Sequence, residues 1–328
     1  MLKWLGVSSL LVLSMIGPGI ARAQDRTCWL LDGVSPAPSL VYFLCEQGAL
    51  LVTTDAGATW SSRDMKVNGH LRDIYFLDAN RGFAAGDAGL LVATSDGGKT
   101  WETRKTDLKE NLVAIYFVGQ SGWVSGYDGV IIHSSDGGKT WAPQQTGTKE
   151  SLEGLFFLDA DHGWAVGWAG TILRTINGGK TWQLVKCDAA QWSLSSVFFR
   201  DAQNGWIVGF GGTILRSHDG GATWAAQTSP AKTRLGAIAF DKQNRGWITA
   251  DDSILESDDG GETWKTIKIT DRVFLSQFIP VNGTLWAIGQ LGALQQTADL
   301  KWKRMATLVV DDPSKDTGAT ASAASKPN

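Results

Sequence analysis

The chain has 328 residues, enough for two ordinary domains or one repeat array, and its formal net charge is −3. That charge argues against a nucleic-acid-binding protein, because such domains are usually strongly basic. The 39 glycines and 16 tryptophans are unusually many, and the repeat described below accounts for both.

The first 23 residues have the pattern of a cleaved secretory signal. Lys3 gives a positive start, an apolar run from Leu5 to Ile16 follows, and Ala21-Arg22-Ala23 is an A-x-A cleavage site. We predict cleavage near Ala23. An uncleaved anchor is the alternative, but a spanning helix needs about 20 apolar residues. The mature protein is therefore expected to be exported and periplasmic, or otherwise extracytoplasmic, in an oxidising compartment.

Two of the three cysteines are close together in the sequence. Counting back from the first repeat places Cys28 near the start of one strand and Cys45 near the end of the next. Antiparallel neighbours bring such ends together, so a Cys28–Cys45 disulfide is predicted, with two buried thiols as the alternative. Cys187 is then left over. The cysteines and four histidines show no metal-ligand spacing, so no metal and no cofactor are expected.

One phrase, such as Ser95-Asp96-Gly97-Gly98-Lys99-Thr100-Trp101, occurs in six near-copies with a worn seventh that ends at Trp302. The phrases end at Trp60, Trp101, Trp141, Trp182, Trp224 and Trp264. Their acid or amide positions are Asp55, Asp96, Asp136, Asn177, Asp219 and Asp259. A period near 40 with short strands and glycine turns indicates a closed ring of β-sheets.

Each repeat contains three further apolar segments before the phrase turns the chain into a fourth strand. Leu112–Phe117, Gly122–Gly126 and Val130–Ser134 are examples of these segments. Apolar residues occupy both the odd and the even positions of these strands, so both faces of each sheet are apolar and each sheet needs a neighbour on either side. The sequence thus predicts an all-β, seven-bladed β-propeller of four-stranded antiparallel blades over residues 24–310.

The two ends of the propeller carry separate predictions. Residues 27–34 form the first strand of blade one, or they complete blade seven beside residues 304–309; spacing from Trp60 favours the former. Residues 311–328 lack a hydrophobic pattern and are predicted to be disordered.

The phrase has a structural logic that does not involve catalysis. Its carboxylate can accept hydrogen bonds from turn N–H groups, and its glycines permit positive φ. Its tryptophan can bury a large ring against the blade. The amide oxygen of Asn177 can replace the carboxylate, so the fourth copy is expected to keep the turn.

This phrase resembles the Asp-box, or BNR repeat, S-x-D-x-G-x-T-W. Together with the L-x-x-I-x-F strand and the segment from Gly122-Trp123 onwards, it resembles the photosystem II stability/assembly factor family over nearly the whole mature chain. The resemblance implies a seven-bladed propeller that acts as a protein-binding assembly factor. We therefore expect a monomer with a protein partner, such as a membrane or envelope complex.

The sequence does not favour an enzyme. The F-R-I-P segment of sialidases is absent before the first box, and most acidic residues belong to the repeated phrase. A two-carboxylate glycosidase needs a pair of Asp or Glu residues facing one cleft. No catalytic residue is predicted. A glycan-binding or sialidase-like glycoside hydrolase propeller stays the alternative, because Asp-boxes occur in such enzymes.

The turns between second and third strands differ from blade to blade. Three consecutive blades carry Tyr127, Trp168 and Phe210 in this slot, and Trp192 lies in the link that should end beside them. Because aromatic residues are enriched in interface cores, we predict that these four form a partner-binding patch. The alternative is that each ring folds back over its own hairpin.

The repeat position directly before each phrase is arginine in two adjacent blades. The resemblance implies a surface patch of arginines, to which Arg174 and Arg216 are the candidate contributors, with Arg200 and Arg234 as further members. Solvation of the blade edge is the alternative for these side chains.

Overall fold

The computed structural model describes residues 26–46, 48–269, 274–290, 292–305 and 309–310. The predicted signal segment 1–23 and tail 311–328 lie outside the described residues. The described residues form seven four-stranded antiparallel sheets, each built from four strands consecutive in sequence. Neighbouring sheets contact each other through their first strands, and blade 7 contacts blade 1, so the ring is closed. The predicted seven-bladed propeller is confirmed.

The strands of the seven blades are given by their position in the sheet, from the ring axis outwards. The first strands are Leu30–Ala37, Leu71–Phe76, Leu112–Val118, Leu152–Phe157, Leu194–Phe199, Leu235–Phe240 and Leu275–Val281. The second strands are Leu40–Cys45, Gly82–Gly86, Ser121–Gly126, Gly163–Gly167, Gly205–Gly209, Gly246–Ala250 and Thr284–Gly289. The third strands are Ala49–Thr53, Leu91–Thr94, Ile131–Ser134, Ile172–Thr175, Ile214–Ser217, Ser253–Ser257 and Gly292–Gln296. The fourth strands are Ser61–Asp64, Glu102–Thr103, Ala142–Gln144, Gln183–Leu184, Ala225–Ala226, Lys265–Lys268 and Trp302–Arg304.

The ring closes with a complete first blade. Leu30–Ala37 is the first strand of blade 1, which is the arrangement that the spacing favours. The preceding Arg26–Thr27 pairs antiparallel with Val309–Val310 in a separate two-stranded ladder. The two ends of the described chain therefore meet beside blades 1 and 7.

Stacked aromatic rings join one blade to the next. From blade 1 to blade 6, the aromatic residue of a second strand lies on the phenylalanine near the end of the following blade's first strand. The Trp123 and Phe157 ring centroids are 3.6 Å apart, and so are those of Trp164 and Phe199. Both tryptophans are buried. Since a face-to-face contact buries two large rings at once, this ladder supplies much of the packing between blades.

The Asp-box turns have the hydrogen bonds that the sequence predicts. Asp136 accepts from the Thr140 N–H at 3.0 Å and from the Thr140 hydroxyl at 2.6 Å. The Ser134 hydroxyl donates to the same carboxylate at 2.7 Å. In blade 4, Asn177 accepts from the Thr181 N–H at 3.0 Å, so the amide keeps the turn.

These bonds favour the ionised carboxylate. The hydroxyl and N–H of Thr263 are the main groups that lower the pKa of Asp259 to about 2. The worn seventh turn is different, because the Thr297 hydroxyl bonds to the Lys301 carbonyl at 2.9 Å and Leu300 takes a φ of +64°.

Candidate functional site

One face of the ring carries both the second-to-third turns and the links between blades, and we call it the link face. In blades 2 to 5 these turns are single 3-10 turns: Asp87–Gly89, Tyr127–Gly129, Trp168–Gly170 and Phe210–Gly212. The first N–H of the turn donates to the carbonyl of the residue before the first strand, as from Trp168 to Ser151 and from Phe210 to Ser193, each at 2.9 Å. The middle residue has positive φ, +50° at Ala169, which lets the chain reverse within three residues. The first side chain of each turn is therefore held close to the ring axis.

The predicted aromatic residues lie on this face in two contacting groups. Trp168, Trp192 and Phe210 are exposed, and Tyr127 is half-buried. The ring centroids of Tyr127 and Trp168 are 6.0 Å apart. The Trp192 indole packs against Gly211, the residue after Phe210. A Cβ atom at position 211 would lie only 3.1 Å from this ring.

Charged side chains surround these rings. The Trp168 Nε1 donates to Glu153 at 2.7 Å, so this indole does fold over the first strand of its own blade. The Arg72 guanidinium lies 5.4 Å from the Tyr127 ring centroid and pairs with Asp87 at 2.5 Å. Arg234 lies 5.7 Å from the Phe210 ring centroid. The patch is therefore apolar at its centre and charged at its inner rim.

Two further aromatic residues lie on this face, although the comparison of turn positions between the repeats did not point to them. Trp29 and Phe274 are exposed and lie directly before the first strands of blades 1 and 7. Their carbonyls accept from the turn residues Glu46 and Gln290, which places them on the link face. Among the described residues, seven large apolar side chains are exposed, and five of them lie on this face. A comparison of the residues that precede each first strand would have found both.

An axial channel opens at the link face. Its volume is about 800 Å³, and residues of all seven first strands line it. The mouth is bordered by Arg72, Glu153, Trp168, Phe210 and Arg234. The aromatic patch and the channel are thus parts of one surface.

A pair of carboxyl groups faces this channel. Asp32 of blade 1 accepts from the Ile74 N–H of blade 2 at 2.9 Å, and Asp73 accepts from the Ile115 N–H of blade 3 at 2.5 Å. Gln277 of blade 7 donates to Asp32 at 3.1 Å. Burial, followed by the charge of Asp32 and a hydrogen bond with it, raises the pKa of Asp73 well above its usual range. The pair therefore keeps one proton when exposed carboxyl groups have lost theirs.

A belt of aromatic rings lies farther along the channel. The belt consists of Tyr75, Tyr116, Phe156 and Phe198, one from each of blades 2 to 5. The ring centroids of neighbouring members are 6.1, 5.3 and 5.5 Å apart in that order. Tyr75 and Asp73 are two residues apart in one strand, so their side chains point to the same side of the sheet.

The two predicted arginines lie between blades, away from the aromatic patch. Arg174 donates through Nε to the Gly220 carbonyl of the next blade's Asp-box at 2.8 Å. Arg216 stacks on Trp206, with 3.6 Å from its guanidinium carbon to the ring centroid, and its side chain is only 4% exposed. A buried guanidinium that packs inside the propeller is at odds both with a surface role and with simple solvation of the blade edge. Sequence spacing does not reveal this burial, because it depends on packing against Trp206 of the neighbouring strand and on Glu262 of the next blade.

The structure places Cys28 and Cys45 in a disulfide with their Cα atoms 5.6 Å apart. Cys187 is a free cysteine, as the pairing predicts. Within the described ranges, no group of three or more His, Cys, Asp or Glu side chains is suited to hold a metal ion. No helix in the part of the chain that the structure describes is long and apolar enough to span a membrane.

Comparison with known families identifies what this architecture is similar to. A family model described as "Photosynthesis system II assembly factor YCF48" matches residues 52–154 and 140–230, which together span more than half of the chain. A BNR/Asp-box repeat model matches residues 255–266. Among curated protein sequences, none matches significantly.

Solved structures of similar shape share little sequence with this chain. "YCF48 bound to D1 peptide" has a TM-score of 0.70 and 20% identity, and the match covers 81% of this chain and 92% of that one. YCF48 from Cyanidioschyzon merolae has a TM-score of 0.67 and 17% identity, over 80% and 94% of the two chains. An ancestral GH74 enzyme has a TM-score of 0.69 and 13% identity, over 85% of this chain and 46% of that one. At these identities the structural likeness shows the fold alone.

Proposed function

Because the chain belongs to the family described as photosynthesis system II assembly factor YCF48, we propose that it is a non-catalytic propeller that binds a protein partner. In this proposal the partner belongs to an envelope or membrane complex whose assembly or function the propeller assists. The binding surface is the link face around the channel mouth. The solved relative that holds a D1 peptide makes a peptide segment the first ligand to consider.

The concentration of exposed aromatic side chains on the link face carries this proposal. Trp29, Trp168, Trp192, Phe210 and Phe274 are exposed there, although nothing in the propeller's own packing requires it. Large exposed apolar surfaces in soluble proteins mark interaction sites, and tryptophan is enriched among the residues that contribute most to binding. The charged rim would orient a polypeptide that crosses these rings.

Export to an extracytoplasmic compartment is part of the same proposal. The signal-like residues 1–23 motivate it, and the Cys28–Cys45 disulfide is of a kind that persists in oxidising compartments. N-terminal sequencing of the protein from its native cell tests the predicted cleavage. A mature protein that still carries its first 23 residues would contradict this part of the proposal.

Peptide binding can be tested with variants matched by face. Fluorescence anisotropy of a labelled D1 peptide should give a dissociation constant for the wild type. The double variant Trp168→Ala/Phe210→Ala should weaken binding at least about 30-fold, since loss of a single interface anchor costs about 2 kcal/mol. Ile176→Ala removes an equally exposed apolar side chain from an Asp-box turn on the opposite face and should change nothing. Equal affinities of the double variant and the wild type would refute the proposed surface.

A glycan ligand is the second candidate, because aromatic rings and carboxyl groups occur together at the channel mouth. The carboxyl groups of Asp32 and Asp73 hydrogen-bond to each other, whereas the carboxyl groups of retaining glycosidases lie about 5–5.5 Å apart. The geometry thus favours binding over cleavage. Titration with neutral oligosaccharides, read by tryptophan fluorescence, tests this candidate, and saturable quenching that Trp168→Ala abolishes would support it.

A further inference from the structure

Among the described residues, no cationic side chain pairs with the carboxyl groups of Asp32, which is buried, and Asp73, which is half-buried. The groups that act on Asp73 are the neighbouring Asp32 and the N–H groups of Ile74 and Ile115. The two cations that line the channel are engaged at its mouth, where Arg72 pairs with Asp87 and Arg234 lies over Phe210. A second negative charge beside the first, away from bulk water, needs a proton or another cation.

The aromatic belt supplies the second half of a cation-binding site. Tyr75 and Tyr116 belong to the belt and come two residues after Asp73 and Ala114 in adjacent first strands, so they face the same channel. The faces of aromatic rings attract organic cations, and more strongly where water is excluded. The channel therefore combines carboxylate oxygens and aromatic rings around one half-open space.

The geometry points to an organic cation as the occupant of the channel: an alkylammonium or guanidinium group, carried by a lysine or arginine side chain of the bound partner. This inference rests on the proposed function, because the partner crosses the link face and its side chain enters through the mouth between Trp168 and Phe210. The channel has a volume of about 800 Å³, which holds such a side chain with accompanying water.

A metal ion fits this site less well than an organic cation. Calcium takes six to eight oxygen ligands, and magnesium needs near-octahedral geometry. The channel offers the carboxyl groups of Asp32 and Asp73, the Glu153 carboxyl at its mouth, the Gln277 amide and a few hydroxyl groups among mainly aromatic and aliphatic side chains. Among the described residues, no cluster of three or more metal-ligating side chains is present.

Binding of a cation here has a proton signature. The titratable and charged groups that face the channel are Asp32, Asp73, Tyr75, Tyr116, Glu153, Arg72 and Arg234. A bound cation favours the ionised form of both carboxyl groups, so it displaces the proton that the pair holds in its absence. Affinity should therefore rise with pH while the free pair is protonated, and binding should release up to one proton.

The experiment uses n-butylammonium chloride as the probe and n-butanol as its uncharged control. Calorimetric titration of the full mature chain in two buffers with different ionisation enthalpies measures both affinity and proton release. We expect n-butylammonium to bind at least about ten-fold more tightly than n-butanol, a difference of about 1.4 kcal/mol, because the uncharged control cannot form a charge-assisted hydrogen bond with the carboxyl pair. Asp32→Asn/Asp73→Asn should remove this preference and the proton release, and its thermal unfolding shows whether it has folded. Should that variant fail to fold, proton release by the wild type decides the question.

Equal binding of the two probes, or no heat and no proton release up to about 0.1 M probe, would overturn the inference. Trp192→Ala separates it from the proposed function, because Trp192 is an exposed member of the aromatic patch that does not line the channel. This variant should weaken the D1 peptide and leave n-butylammonium unaffected. If the wild type binds the D1 peptide but not n-butylammonium, the channel inference fails and the proposed function stands. If it binds n-butylammonium but not the peptide, the proposed binding surface fails and the cation site stands.

Discussion

Replacing Asp73 by asparagine tests whether the carboxyl pair shares a proton in the folded protein. The folded pKa of Asp73 is raised by burial and by Asp32, whereas an unfolded chain leaves it near 3.9. The folded state therefore binds more protons than the unfolded state above about pH 4. The resulting stability is fully present below that pH and is lost as pH rises through the folded pKa.

The size of the effect follows from linkage. While the folded state holds one proton more than the unfolded state, its stability falls by about 1.4 kcal/mol per pH unit. Asparagine does not titrate, yet its Oδ1 can accept from the Ile115 N–H and its Nδ2 can donate to Asp32. The stability of Asp73→Asn relative to wild type should thus increase by about that amount per pH unit above pH 4, until the folded pKa is reached. Asp73→Ala leaves the Ile115 N–H without its acceptor and should cost about 1–3 kcal/mol.

Urea denaturation between about pH 4 and pH 8 measures both variants against wild type. Asp78→Asn is the matched control, because its hydrogen bonds to Arg81 lower the pKa of Asp78. That lowered pKa gives stability that is present above about pH 4 and is lost only at lower pH. The free energy of unfolding of Asp78→Asn should therefore change with pH in the same way as that of the wild type over the measured range. If the free energy of unfolding of Asp73→Asn also follows the pH dependence of the wild type, the two carboxyl groups do not share a proton and the reasoning fails.

Two further predictions concern the scaffold. Trp123→Ala removes a buried ring from its stack on Phe157 and should cost about 3–5 kcal/mol in urea denaturation, whereas the exposed Trp192→Ala should stay within about 0.5 kcal/mol of wild type; similar losses for the two would show that ring stacking does not join the blades. Asp136→Asn should keep the Asp-box turn, as Asn177 does in blade 4, and should unfold at a higher temperature than Asp136→Ala. Equal melting temperatures of the two Asp136 variants would contradict the hydrogen-bond account of the turn.

The fold was predictable because one repeated phrase marks the turn between the third and fourth strands of the blades. Its tryptophans measure the blade length directly, and tight turns leave antiparallel pairing as the available arrangement. Closure was the harder part, since residues 27–34 could belong to blade 1 or complete blade 7, and only their spacing from Trp60 favoured blade 1. The pairing of Arg26–Thr27 with Val309–Val310 joins residues from opposite ends of the sequence, a contact that no local pattern encodes.

The site was predictable only where one repeat position could be compared across blades. Tyr127, Trp168 and Phe210 occupy the same turn slot, so their departure from the other blades was visible. The Asp32 and Asp73 pair was not, because each residue looks like an ordinary polar member of a strand. A β-bulge between the first and third residues of these strands, as at Leu71 and Asp73, brings each carboxyl to the next blade's backbone. That contact depends on the packing of blades, which sequence spacing does not report.

The two halves of the channel mouth differ in chemistry, and this gives a bound polypeptide a direction. The carboxyl pair links blades 1 to 3, whereas three of the five exposed aromatic residues of the link face, Trp168, Trp192 and Phe210, lie on blades 4 and 5 or between them. A sevenfold scaffold on its own offers equivalent sites around its axis and would not orient an extended ligand. Because buried positions of the repeat maintain the ring, the positions that face the channel and the link face are free to differ. We therefore expect a bound segment to place its apolar residues over blades 4 and 5 and its cationic residue towards blades 1 and 2.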